Sequence, residues 1–143
     1  MTKIESIQWS LTMWTWLRDQ TRKGHYYEEK DWFKETENEP VEHESYFCQY
    51  ALDVTTEGVT CRNCPIKEWR EHNSVSNLSA PSPCCQSFSP YYRWEKGIEE
   101  YKKDDSVLSE ETREDILRGS EDMVFLLEKE LKNMKRKEGQ KND

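Results

Sequence analysis

Glycine is scarce in this chain, and each one stands alone. Five glycines are spread singly through 143 residues, which excludes a glycine-rich loop whose backbone N–H groups converge on a phosphate. Long apolar runs are missing too. None reaches the roughly 18–20 residues that cross a bilayer, and the opening Met1-Thr2-Lys3-Ile4-Glu5-Ser6-Ile7 lacks the apolar core of a signal peptide. The expected setting is cytoplasmic and away from membranes, where structural disulfides are rare and the Asn77-Leu78-Ser79 sequon has no meaning. Basic residues fall short as well: 21 Lys and Arg face 29 Asp and Glu, for a net charge of -8 and a pI near 5.0. That balance repels nucleic-acid phosphates and makes nucleic acid the less favoured partner. A zinc-dependent nucleobase deaminase needs His-x-Glu and Pro-Cys-x-x-Cys. Here Pro83 is followed by Cys84-Cys85, and neither His-x-Glu nor His-Glu-x-x-His occurs. The chain is therefore read as a non-enzyme.

What is present is charge and aromatic surface. Hydrophobic residues make up 34% and charged residues 35%, with a mean hydropathy of -1.12, values that approach those of disordered chains. Six Trp, seven Tyr and four Phe argue the other way. Each ring buries on the order of 150–250 Å², so a few of them replace many aliphatic residues. One aromatic core with a metal staple is expected over residues 1–137, followed by a disordered tail over 138–143.

The periodicity predicts a mainly α fold. Thr2-x-x-Glu5 has the form of a capping box, and Ile4, Ile7, Leu11, Trp14 and Leu17 follow at three- and four-residue steps to about residue 22. Trp9, Met13 and Trp16 widen that face, toward either the core or a partner. Gly24 is a stop, and a second helix is expected over 26–33. Ser89-Pro90 opens a third, to about 103, with Tyr91, Trp94, Ile98 and Tyr101 on one face. Ser109 caps a short helix carrying Ile116 and Leu117, Gly119 stops it, and Ser120 caps a last one with Val124, Leu127, Leu131 and Met134 as its stripe. Lys132, Lys135, Arg136 and Lys137 at its end suit the helix dipole before they suit nucleic acid.

All five cysteines fall between residues 45 and 95, where no period is visible. Cys61-x2-Cys64 is half of a zinc knuckle, because a tight turn points both sulfurs at one ion. Cys48 precedes it and Cys84-Cys85 follows. A four-thiolate Zn2+ site from Cys48, Cys61, Cys64 and Cys85 is expected, with Cys84 or His72 as the alternative fourth ligand. Adjacent cysteines do not easily share one ion. Buried thiols acting as small hydrophobes, or redox chemistry, are the competing readings of the same residues. Overall, several helices pack around a central irregular, zinc-knuckle-like segment.

The motif string Met13-Trp-x-Trp-Leu17, Phe47-Cys-x-Tyr-Ala51, Cys61-x2-Cys-Pro-Ile-x-x-Trp69, a later Cys and Ser89-Pro-Tyr-x-x-Trp-Glu95 resembles a group of small cysteine-motif proteins encoded by tailed phages of Gram-positive hosts. The resemblance covers about residues 9 to 95. Such proteins carry a Cys-x2-Cys ahead of the Tyr-Ala; here Ser45 stands at the first position and Cys48 at the second. The resemblance implies an accessory protein in the host cytoplasm. It fits a non-enzymatic binder that inhibits a host protein, with a component of antiviral defence as the class of target. One alternative is a binder that sequesters a nucleotide-type small molecule through Tyr92, Arg93, Arg62 and Arg70, which would stack a base and hold phosphate. The other is a zinc-knuckle nucleic-acid-binding protein, whose face would need Lys67, Arg70, Lys96, Lys102 and Lys103 on one side.

Overall fold

A computed structural model describes residues 1–41, 46, 49–50, 64–67, 89–103 and 108–141, the last four as backbone only. Four helices can be given from end to end: α1 (Lys3–Arg22), α2 (Glu29–Glu35), α3 (Pro90–Lys103) and α4 (Glu110–Lys141). Among the described residues there is no strand. Apart from Tyr46, Gln49, Tyr50 and residues 64–67, the expected knuckle lies outside the described residues.

The ends of α1 are set by local chemistry. Thr2 Oγ1 accepts from Glu5 N–H at 3.1 Å while Thr2 N–H donates to Glu5 Oε1 at 3.0 Å, the reciprocal pair of a capping box. At the other end, Gly24 N–H donates to the Thr21 carbonyl and His25 N–H to that of Gln20, both at 2.9 Å. This Schellman arrangement needs the left-handed φ of +88° that Gly24 supplies. The buried face of α1 carries Ile7, Met13, Trp14 and Leu17 together with Ser6, Ser10 and Thr21. Each hydroxyl donates to a carbonyl of its own helix, Ser10 Oγ to Ser6 O at 2.7 Å for example, so its burial leaves no donor stranded.

One expectation fails at Gly119. The predicted break and restart there do not occur, and α4 runs through as a single helix of 32 residues, about 48 Å long. Gly119 is buried against α3: a Cβ built on it would lie 2.6 Å from Trp94 Cβ and 2.7 Å from Trp94 N. Gly97 mirrors this on α3, where a Cβ would meet Ile116 Cγ1 at 2.7 Å. Pairing of 94 with 119 and 97 with 116 makes α3 and α4 antiparallel, with their backbones nearly in contact. Ser120, expected as a cap, is a buried helical residue whose Oγ donates to the Leu117 carbonyl at 2.8 Å. α4 extends to Lys141.

The aromatic core sits between these elements. Trp14 stands edge-on to Trp94 at 4.7 Å and to Tyr91 at 5.9 Å, which joins α1 to α3. Met13 is fully buried. Trp16 stacks on Tyr27 at 5.3 Å and meets Trp32 edge-on at 5.9 Å, and Trp9, 42% exposed, stacks on Tyr46. Of the three residues that widen the α1 face, two therefore serve the core and Trp9 straddles its rim. The second helix begins at Glu29, not 26; residues 26–28 are an extended approach in which Glu28 N–H donates to Asp31 Oδ2 at 2.7 Å. Val124 and Leu127 lie buried on α4 as their spacing predicts, beside Met123 and Leu126.

Candidate functional site

The first candidate is the cysteine stretch, and Tyr46 and residues 64–66 anchor it in the core. Tyr46 is buried between Trp9 of α1 and Phe33 of α2, and its hydroxyl oxygen accepts from Trp32 Nε1–H at 3.3 Å. Cys64 is 8% exposed and joins the same hydrophobic cluster, next to the fully buried Pro65 and Ile66. Cys48, Cys61, Cys84, Cys85 and His72 lie outside the described residues. Among the described residues, no three His, Cys, Asp or Glu side chains gather to hold a metal ion.

The second candidate is the stacking and phosphate set. Arg62 and Arg70 lie outside the described residues. Tyr92 is 38% exposed on the outer side of α3, as the helical spacing predicts. Arg93 is not idle: its Nε–H donates to Asp115 Oδ1 at 2.9 Å, which ties α3 to α4 beside the glycine contacts. A structural ion pair thus occupies the group assigned to phosphate.

A cavity of about 220 Å³ opens between α2 and α3, lined by Glu28, Glu29, Glu95 and Glu99 with Lys30 and Lys102. Tyr91 and Trp94 form its aromatic wall, and Tyr91 Oη–H donates to Glu29 Oε1 at 2.8 Å. Lys102 Nζ binds Glu28 Oε1, and Lys30 Nζ lies 3.3 Å from Glu28 Oε2. Burial pushes the Glu28 carboxyl up, but these two ammonium groups outweigh it, so its pKa falls below the ordinary value. Glu95 moves the other way. Burial first and the nearby Glu99 second raise its pKa. The cavity is a strap between α2 and α3, with lysines already answering part of its negative charge.

The third candidate was not singled out by the sequence. Phe125 lies midway along α4 and is 70% exposed, the most exposed large hydrophobic side chain described. Helical spacing surrounds it with Glu121, Asp122 and Glu128 and one cation, Lys129. Its neighbours Val124 and Leu126 face inward, so the chain places an aromatic ring on the outer side of a helix whose inner side is already filled. The signal was present in the sequence as five consecutive apolar residues, 123–127, more than one helix face can bury.

Fold and site together define a mainly helical protein with an aromatic core. Compared with known proteins, the chain matches no family model, no curated protein and no solved structure. Among the described residues, no helix is long and apolar enough to cross a membrane.

Proposed function

We propose that the chain is a non-enzymatic phage accessory protein that binds and disables a host protein, with a component of antiviral defence as the class of target. The observation that carries this is Phe125, 70% exposed on α4 and bordered by Asp122 and Glu128, with Glu121 beside it paired to Arg22. Interfaces take much of their energy from a few aromatic anchors that enter a pocket, while charge around the anchor steers the encounter. An acidic border selects a partner surface that is basic around an apolar pocket. The test is capture from a Gram-positive host lysate by the wild-type chain and by Phe125→Ser. The exposed position predicts equal melting temperatures for the two. A host protein retained by the wild type and released by salt should fall by about tenfold or more on the variant. Equal retention by both chains, or no retained host protein, sinks the proposal.

The same proposal includes a structural Zn2+ held by Cys48, Cys61, Cys64 and Cys85, with Cys84 or His72 as the alternative fourth ligand. What supports it is the position of Cys64, nearly closed off from solvent inside the core cluster, as befits a ligand of a closed structural site. Metal analysis of protein purified without chelator should find one zinc per chain in the wild type and none in Cys64→Ser. A zinc-free wild type overturns this part and leaves the proposed interaction face standing.

A further inference from the structure

We propose that the cleft where α1 ends against α4 binds a phosphorylated small molecule of nucleotide size. This goes beyond the reading based on Phe125; the two share only Glu121, which borders Phe125 and pairs with Arg22. The cleft holds about 480 Å³, within the range of small-molecule sites. Its rim is Arg22, Lys23 and Arg113, its apolar wall Tyr26 and Leu117, and its floor Thr21 and Gly24. Three cations and no carboxylate line it, in a chain whose net charge is -8.

Two of the three cations are open to an anion from outside. Arg22 is already paired, with Glu121 Oε2 3.1 Å from its Nη2 and Asp19 Oδ1 3.8 Å from its Nη1, so the charge left for a ligand is that of Lys23 and Arg113. Neither Lys23 nor Arg113 has an ion-pair partner among the described residues. The carbonyls at the end of α1 would repel an anion, but the N–H groups of Lys23, Gly24 and His25 engage those of Asp19, Gln20 and Thr21. The floor is open as well: a Cβ built on Gly24 meets nothing within 4 Å. Tyr26 is half-buried and braced by Tyr101, whose ring centre lies 5.2 Å away. An arginine fork and an ammonium suit phosphate oxygens, and the tyrosine with Leu117 suits an attached ring.

Titration calorimetry on the full chain at low salt tests this, with ADP and inorganic phosphate as probes. ADP should bind more tightly than phosphate. Arg113→Ala, at an exposed position, should weaken ADP by about tenfold or more. Tyr26→Leu should weaken ADP about fivefold and leave phosphate unchanged. Arg118→Ala, which removes one exposed positive charge outside the cleft, should change neither. Melting curves should show each variant folded. Absence of binding by both probes at millimolar concentration overturns the proposal, as does ADP binding that Arg113→Ala leaves intact. Equal losses from Arg113→Ala and Arg118→Ala would mean non-specific charge attraction and would overturn it equally.

Discussion

Where α3 crosses α4 the backbones nearly touch, and the space for the contact comes from missing side chains at Gly97 and Gly119. Where α1 meets the approach to α2 the gap is filled by rings, with Trp16 stacked on Tyr27 and edge-on to Trp32. Both contacts bury a helix face, but they respond to change in opposite ways. A ring at a partly exposed edge can shift when a neighbour changes. A backbone 2.7 Å from a would-be Cβ cannot yield without moving the whole helix.

The sharpest way to break the comparison is Gly119→Ala. Alanine is favoured over glycine in a helix by about 1 kcal/mol, yet its methyl would fall on the main chain of Trp94. Overpacking against backbone should win, with a net loss of about 3 kcal/mol, read as a drop in melting temperature of roughly 10 °C. An unchanged or higher melting temperature would mean that the two helices are not in close contact. Next is Trp16→Ala, which removes two ring contacts from a half-buried site and should cost about 2 kcal/mol.

Gly97→Ala sharpens the contrast within the glycine pair. Its closest obstacle is Ile116 Cγ1, a side-chain atom that can rotate away, while the Ile116 nitrogen is farther off at 3.2 Å. The helix-propensity gain offsets part of the clash, so a loss of about 1 kcal/mol is expected, clearly smaller than at Gly119. Urea denaturation of the two alanine variants side by side decides the order.

The smallest effect concerns the α2–α3 strap and depends on pH. The Glu95 pKa is raised on folding. Its ionisation subtracts nothing at low pH, where both states are protonated, and subtracts stability as pH rises through the unfolded and then the folded value. Glu95→Gln should therefore stabilise at neutral pH, by no more than about 1 kcal/mol once solvent screening is counted, with the gain vanishing at acid pH. Glu28 has the opposite sign. Its lowered pKa adds stability above the unfolded value that is lost as pH falls through the folded one. Glu28→Gln should destabilise at neutral pH and become neutral in acid. Melting curves between acid and neutral pH that show the same trend for both variants would refute the assignment.

Much of the fold was legible because local chemistry repeats itself in spacing. The Thr2–Glu5 box, the Gly24 stop, the Ser89-Pro90 start and the Ser109 cap each act within one turn of chain, and the structure places helix ends at all four. Gly119 was misread because a glycine that ends a helix and a glycine that admits a neighbouring helix look alike in sequence. The candidate site was less legible. Tyr92 keeps its predicted exposure, but the Arg93–Asp115 pair joins residues on different helices. The cleft cations come from opposite ends of the chain.

By itself the sequence determined where α1, α3 and α4 begin, most of their apolar faces, and that aromatic rings must do the work of a thin aliphatic core. Those properties follow from interactions within a few residues. Only the tertiary structure decided that α4 is one helix, that Arg93 is held by a carboxylate, that Phe125 faces outward, and that Arg22, Lys23 and Arg113 share a cleft. Each of those depends on which helix lies beside which, and the spacing of residues along one chain does not carry that information.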